Sequence, residues 1–181
     1  MRCSWVNLDN PLYVKYHDEE WGIPKYNDNI LFEFLILEIF EAGLSWETIL
    51  NKRDNFRKAF ANFDCNKISK FDESKINSLL NDEGIIRNKN KIKATINNAK
   101  IFINIQKEYG SFSNYIWHFT NNEIVFGNGT QSSNKLSDKV TKDLKNKGMK
   151  FIGTKIIYSY LTAIGVIYDH EECCKLFKKT L

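Results

Sequence analysis

The chain is poor in the residues that punctuate turns, with only 2 prolines and 9 glycines among 181 positions. That scarcity argues against a collagenous, disordered or many-turned β architecture. No apolar run approaches the roughly 20 residues needed to span a bilayer. The start, Met1-Arg2-Cys3-Ser4-Trp5, carries no apolar signal segment. Four cysteines, Cys3, Cys65, Cys173 and Cys174, are too few for a disulfide framework at this length, and without an export signal they stay reduced. The expectation is a cytoplasmic, bacterial-type chain with no membrane partner. Its length fits one domain spanning 1–181, and a monomer is the simplest assembly.

Charge is unevenly placed. Residues 1–50 hold 3 Lys/Arg and 9 Asp/Glu, a balance of −6, while residues 51–181 hold the remaining 23 and 13, a balance of +10. An acidic, aromatic-rich head therefore precedes a basic body, as expected of a body that faces a polyanion. A lysine-rich solvated surface is the plainer reading of the same numbers.

After residue 27 the hydrophobic pattern is helical. Asn27 or Asp28 caps a helix over 29–42 that Gly43 stops, and Ser45 caps another running through Trp46, Ile49, Leu50, Phe56 and Phe60. Shorter helices fit 65–70 and 73–81, and a long one fits 89–108 with Ile92, Ile96, Ala99 and Ile103 on one stripe. Ser113 opens a helix through Phe119, Ser137 one ending at Gly148, and Thr154 a buried one to about Ile164. Residues 121–134 read as loop with one short extended piece. With no alternation of strands, the fold class is all-α. A body over 28–165 would carry a small lobe made of the termini, 1–27 and 166–181.

Three groups of residues carry chemistry. Cys3 and His17 lie near one end, His170 and Cys174 near the other. On a helix, His170 and Cys174 would share a face at i,i+4. Two cysteines and two histidines would fill a tetrahedral zinc site, although Cys173 could replace Cys174 and Cys3 could be a plain terminal thiol. In the second group, Glu38 has Phe34, Leu35 and Ala42 as helical neighbours, which places it at the edge of an apolar pocket. A solvated stripe shared with Glu33 and Glu41 is the bland alternative. Trp5, Tyr13, Tyr16, Trp21 and Trp46 surround this helix in sequence. A carboxylate among aromatic faces suits a flat, cationic, hydrogen-bonding ligand such as a nucleobase. In the third, Leu79 to Lys91 reads as a helix–turn–helix junction. Gly84 permits the turn, and free N–H groups beside Arg87, Lys89, Lys91 and Lys93 suit a DNA phosphate.

Taken together, these segments resemble the DNA-3-methyladenine glycosylase I family, the zinc-containing branch of the helix–hairpin–helix glycosylases. The likeness rests on Arg2-Cys3-Ser4-Trp5-Val6, Asp9 to Gly22, Leu31-Phe32-Glu33, Leu37-Glu38, Ala42-Gly43-Leu44-Ser45-Trp46 and Gly84-Ile85-Ile86-Arg87. It continues through Lys150 to Thr154, Tyr158-Ser159, Gly165 and Asp169 to Cys174. The resemblance implies one structural zinc on Cys3, His17, His170 and Cys174. It also implies a base pocket in which Glu38 reads adenine and does the chemical work, with Tyr16 and Trp46 as aromatic surfaces. Tyr13, Trp21, Trp5 and Ser159 would line that pocket less directly. Gly43 and Leu44 would fill the gap left by an extruded nucleotide, and Gly84, Arg87 and Lys89 would grip phosphate. The implied substrate is double-stranded DNA containing 3-methyladenine, and the implied product is free 3-methyladenine, released by base flipping and hydrolysis without strand cleavage. The family's pattern has small or amide residues after Glu38, where this chain has Ile39, Phe40 and Glu41. A non-catalytic, zinc-stabilised DNA-binding module, or a zinc hydrolase with a metal-bound water, are the competing readings.

Overall fold

A computed structural model describes residues 1–178. Ten α-helices make up most of it: α1 Pro11–Glu19, α2 Asp28–Glu41, α3 Trp46–Asn51, α4 Arg53–Ala59, α5 Cys65–Ile68, α6 Glu73–Leu80, α7 Lys89–Tyr109, α8 Phe112–His118, α9 Lys135–Asn146 and α10 Thr154–Ala163. Two short strands, β1 Val125–Phe126 and β2 Ile167–Tyr168, pair in parallel with Val125 opposite Ile167. The all-α expectation is thus corrected to a mostly helical fold with one small strand pair. The short extended piece expected within 121–134 is β1, whereas β2 is too short for an alternation to show. No helix among the described residues is long and apolar enough to cross a membrane.

Helix α2 is the axis of the core. Leu31, Phe32, Phe34 to Leu37, Ile39 and Phe40 are all fully buried, so the helix is enclosed on every side, as its nearly continuous apolar run requires. Asn27 caps it by accepting from the amides of Asn29 and Ile30. Asp28 reaches outward and accepts from Gln106 and from the amides of Phe112 and Ser113. One carboxylate therefore pins the start of α2 to the α7–α8 junction.

Several local expectations change. The helix expected from Ser45 to Phe60 breaks at Lys52, where φ is −101° and ψ is 0°, and so becomes α3 and α4. Ser111 rather than Ser113 caps α8, and Asn134 caps α9 with Ser137 completing a capping box at the third position. Helix α1 lies before the helical pattern that begins after residue 27, although Asn10 followed by Pro11 is an N-cap and first-turn proline. Its apolar stripe was hidden by residues that serve the site instead.

Candidate active site and metal centre

A cavity of about 290 Å³ opens between α1, the end of α2, α3, α10 and the 129–132 loop. Glu38 and Trp46 form its buried wall, and Trp5, Tyr13, Tyr16, Trp21 and Ser159 line it as well. Every residue the sequence assigned to the base pocket thus meets at one place. Tyr16 and Trp46 lie with ring centroids 5.1 Å apart, and Trp5 meets Trp21 edge-on at 4.9 Å. Asn10 caps α1 and so aims Tyr13 and Tyr16 inward, one turn apart. Ser45 caps α3 through the Thr48 amide and fixes Trp46 at its first position.

Two polar atoms in this wall are conspicuous. Glu38 Oε2 and Trp46 Nε1 are buried without a hydrogen-bond partner among the described residues. One is an acceptor and the other a donor, and native interiors rarely leave either unmet. Glu38 is only 4% exposed, which excludes the solvated stripe. Its carboxyl is pushed well above the usual range by burial and by the neighbouring Glu41. Burial, then the charge on Glu38, likewise raises the Tyr16 phenol. Glu33 also leaves the stripe, because it is buried and accepts from Arg53 at 2.6 Å and Arg57 at 3.0 Å.

The structure also supplies lining residues that the sequence did not single out for the pocket. Ile39 and Phe40 point into the core, Phe40 packing on Phe56 and Phe60; of the three residues after Glu38, only Glu41 reaches the cavity. Asp169 accepts from the Tyr158 hydroxyl at 2.8 Å and from the Gly129 amide at 2.9 Å. It thereby fastens the loop carrying Gln131 and Ser132 to the cavity rim. The available signal was its position beside His170, and a carboxylate next to a candidate ligand merits the same scrutiny as the ligand.

Cys3, His17, His170 and Cys174 are all buried, and their ligand atoms lie within 4.8 Å of one another. Cys3 Sγ is 3.4 Å from His170 Nδ1, and Cys174 Sγ is 3.5 Å from His17 Nε2. Cys173 is exposed and turns toward Glu171, which separates the two adjacent cysteines. The cluster could hold a metal ion. Burial, with His17 nearby, holds His170 down at about 4, so its imidazole is neutral and free to ligate near pH 7. His17 turns its other nitrogen to Asp18 at 2.8 Å, and Asp18 is gripped by Arg2 and Lys175. His170 and Cys174 do not share a helix as expected. They lie on irregular turns, where Cys174 donates its amide to the Glu171 carbonyl and Lys175 donates to Met1.

The expected DNA-gripping residues stand apart from the cavity lining. At the α6–α7 junction, Gly84 serves close approach: a Cβ there would come within 3.1 Å of Asn55. Arg87 and Lys89 are exposed. The start of α7 is less open than expected, because the Asn88 side chain already accepts from the Asn90 and Lys91 amides. Gly43 adopts φ +84°, which favours glycine, and leaves Leu44 projecting at 46% exposure.

The fold and cavity define a mostly helical protein with an aromatic-lined cavity and a buried carboxyl in its wall. The chain matches the methyladenine glycosylase family over residues 5–178. It is 40% identical over 178 residues to DNA-3-methyladenine glycosylase 1 of Escherichia coli (strain K12), covering 96% of this chain and 95% of that one. A crystal structure of 3-methyladenine DNA glycosylase I superposes with a TM-score of 0.94 at 38% identity, covering 98% of this chain and 100% of the other. A variant of 3-methyladenine DNA glycosylase I, solved in complex with 3-methyladenine, superposes at 0.93 with 31% identity and 99% coverage of both chains. The chain belongs to the methyladenine glycosylase family.

Proposed function

We propose that this protein is a base-excision repair enzyme that hydrolyses the N-glycosidic bond of 3-methyladenine in alkylated double-stranded DNA. It acts as a monomer and releases the free base, leaving an abasic site. The observation that carries the reading is the unpartnered pair Glu38 Oε2 and Trp46 Nε1, an acceptor and a donor buried in residues that line one aromatic cavity.

Methylation at N3 makes the base cationic and a good leaving group, so little general-acid help is needed. Extruding it costs a few kcal/mol, which Leu44, held outward by Gly43, offsets by filling the vacated stack. Tyr16 and Trp46, whose rings already touch each other, then offer adjoining aromatic surfaces to the base, each cation–π contact contributing about 0.5–2 kcal/mol. Glu38 engages the exocyclic amine and holds the base in register. Water adds at C1′ as the C1′–N bond breaks, its electron pair neutralises the departing base, and the water's proton passes to solvent. The cavity lining holds no lysine among the described residues, consistent with hydrolysis without strand cleavage.

The junction of α6 and α7 serves as the hairpin of a helix–hairpin–helix motif, with Gly84, Arg87 and Lys89 against phosphate. A structural zinc on Cys3, His17, His170 and Cys174 fits the terminal lobe, 1–27 and 166–181, of which residues 179–181 lie outside the described structure. Tetrahedral zinc places sulfur and nitrogen ligands about 3.5 Å apart, in keeping with the sulfur–nitrogen distances of 3.4–3.6 Å. Four protein ligands leave no position for water, so the ion would supply stability rather than chemistry.

The test is chromatography of bases released from methylated duplex DNA by purified protein. Free 3-methyladenine is expected, and Glu38→Gln should lower its release while leaving fold and metal content intact. No release from a folded, metal-loaded protein that still binds DNA would favour the non-catalytic binding module.

A further inference from the structure

The part of the cavity wall over 129–132 belongs to no helix or strand. Among the described residues, its one hydrogen bond beyond the loop itself runs from the Gly129 amide to Asp169 Oδ1 at 2.9 Å. Asp169 is only 6% exposed, and its other oxygen accepts from the Tyr158 hydroxyl at 2.8 Å. Both donors are neutral, and no cation pairs with this carboxylate among the described residues. Burying a carboxylate without a counter-charge costs stability, which points to a role other than packing. The backbone is shaped to the same contact. A Cβ on Gly127 would come within 2.0 Å of Asp169 Oδ1, and one on Gly129, where φ is +74°, within 2.8 Å of the Glu171 Cα. The loop therefore lies directly on residues 169–171. Just beyond this anchor, Gln131 and Ser132 are exposed, line the cavity and make no hydrogen bond to another described residue. They stand at its mouth with an amide and a hydroxyl free.

We infer that Asp169 is a positioning residue for the extruded nucleotide, fixing the loop so that Gln131 and Ser132 hydrogen-bond the sugar–phosphate of the nucleotide whose base fills the cavity. The choice of sugar–phosphate follows from position. A flipped nucleotide enters base first, which leaves its deoxyribose and flanking phosphates at the mouth. The oxygens of those groups are acceptors, and a primary amide and a hydroxyl both supply donors. Neither side chain carries a charge, so the contact adds little to non-specific affinity, which lysine and arginine supply through phosphate. It favours the extruded nucleotide over the stacked one. This inference rests on the proposed flipping of a base into the cavity, and it names what holds the rest of that nucleotide.

The test is fluorescence anisotropy of the metal-loaded protein with a duplex carrying a tetrahydrofuran abasic analogue, against an undamaged duplex of the same sequence. Binding of free 3-methyladenine is followed by tryptophan fluorescence. The double variant Gln131→Ala, Ser132→Ala changes two exposed residues and should leave the melting temperature in place. Its affinity for the abasic duplex should fall about tenfold, as for the loss of one or two hydrogen bonds. Undamaged duplex and free base should bind as before. Asp169→Ala should show the same loss on the abasic duplex, with faster hydrogen exchange at the Gly129 amide. Asp169→Asn should keep the wild-type affinity, because its carboxamide accepts from Gly129 and donates to Tyr158. If Asp169→Ala does not fold, Gly127→Ala displaces the loop with Asp169 in place and should give the same loss. Three results with the wild type and the double variant overturn the inference: no wild-type preference for the abasic duplex, unchanged affinity, or equal weakening on undamaged duplex or free base. Equal losses in Asp169→Asn and Asp169→Ala overturn it too, since charge rather than the two hydrogen bonds would then be at work. Because no readout needs catalysis, absence of base release with these affinities intact counts against the proposed reaction alone.

Discussion

The ammonium of Lys91 lies 2.6 Å from the carbonyl oxygen of Ala42. This contact ties the first turn of α7, just beyond the α6–α7 junction, to the chain that enters Gly43 and Leu44. The two parts of the proposed DNA surface are thus joined by one buried side chain that also satisfies the end of α2.

Replacing Lys91 with Met should therefore affect both stability and binding. The carbonyls of Phe40 and Ala42 would lose their charged donor, costing about 1–3 kcal/mol in a urea melt. Affinity for a duplex with an abasic site should drop roughly tenfold, about 1.4 kcal/mol, as the loop loses its anchor. Lower stability with unchanged affinity would show that the tie is structural only.

Leu44→Ala separates capture of DNA from recognition of the base. Leu44 is exposed, so the melting temperature should stay within error. Base release from methylated duplex should fall, while the affinity for free 3-methyladenine, followed by tryptophan fluorescence, should not. A parallel loss of free-base binding would place Leu44 in the pocket instead of the duplex gap.

Arg53→Met tests the charged knot between α1, α2 and α4. Arg53 holds Glu20 with two hydrogen bonds of 2.7 Å and Glu33 with one of 2.6 Å, and removing a buried partner costs about 3–5 kcal/mol. Burial alone would raise the Glu20 carboxyl, but Arg53 outweighs it and holds the group below its ordinary value. That stabilisation is present above the unfolded glutamate value, near about 4.3, and is lost as pH falls through the lowered folded value. The acid-unfolding curve of the wild type should carry this step, and the variant should lack it.

The adjacent cysteines make an internal control for the proposed zinc. Cys174→Ser should lose zinc by elemental analysis and melt at lower temperature, since metal-binding energy is folding energy. Cys173→Ser, altering an exposed thiol, should retain one ion per chain. Stoichiometric zinc in Cys174→Ser would assign the fourth ligand elsewhere.

Much of this protein can be read along the chain. The unbroken apolar run of α2 dictates a buried helix because no polar face exists to meet water. Side-chain caps at Asn27 and Ser45 mark helix starts, because a short polar side chain satisfies amides that the helix cannot. The aromatic residues, Glu38, and the two cysteines and two histidines are visible as residue types suited to a base and a metal. Tertiary structure alone decides which of these meet. His17 and Cys174 are 157 positions apart and come to 3.5 Å only because both ends of the chain dock beside the same helices. Glu33 and Glu38 have equally apolar neighbours in sequence, yet one faces Arg53 and the other a cavity without a cation. Local preference governs how a few residues bend, whereas the chemistry of a carboxyl or a thiol depends on the charges and the solvent that distant segments bring to it or exclude.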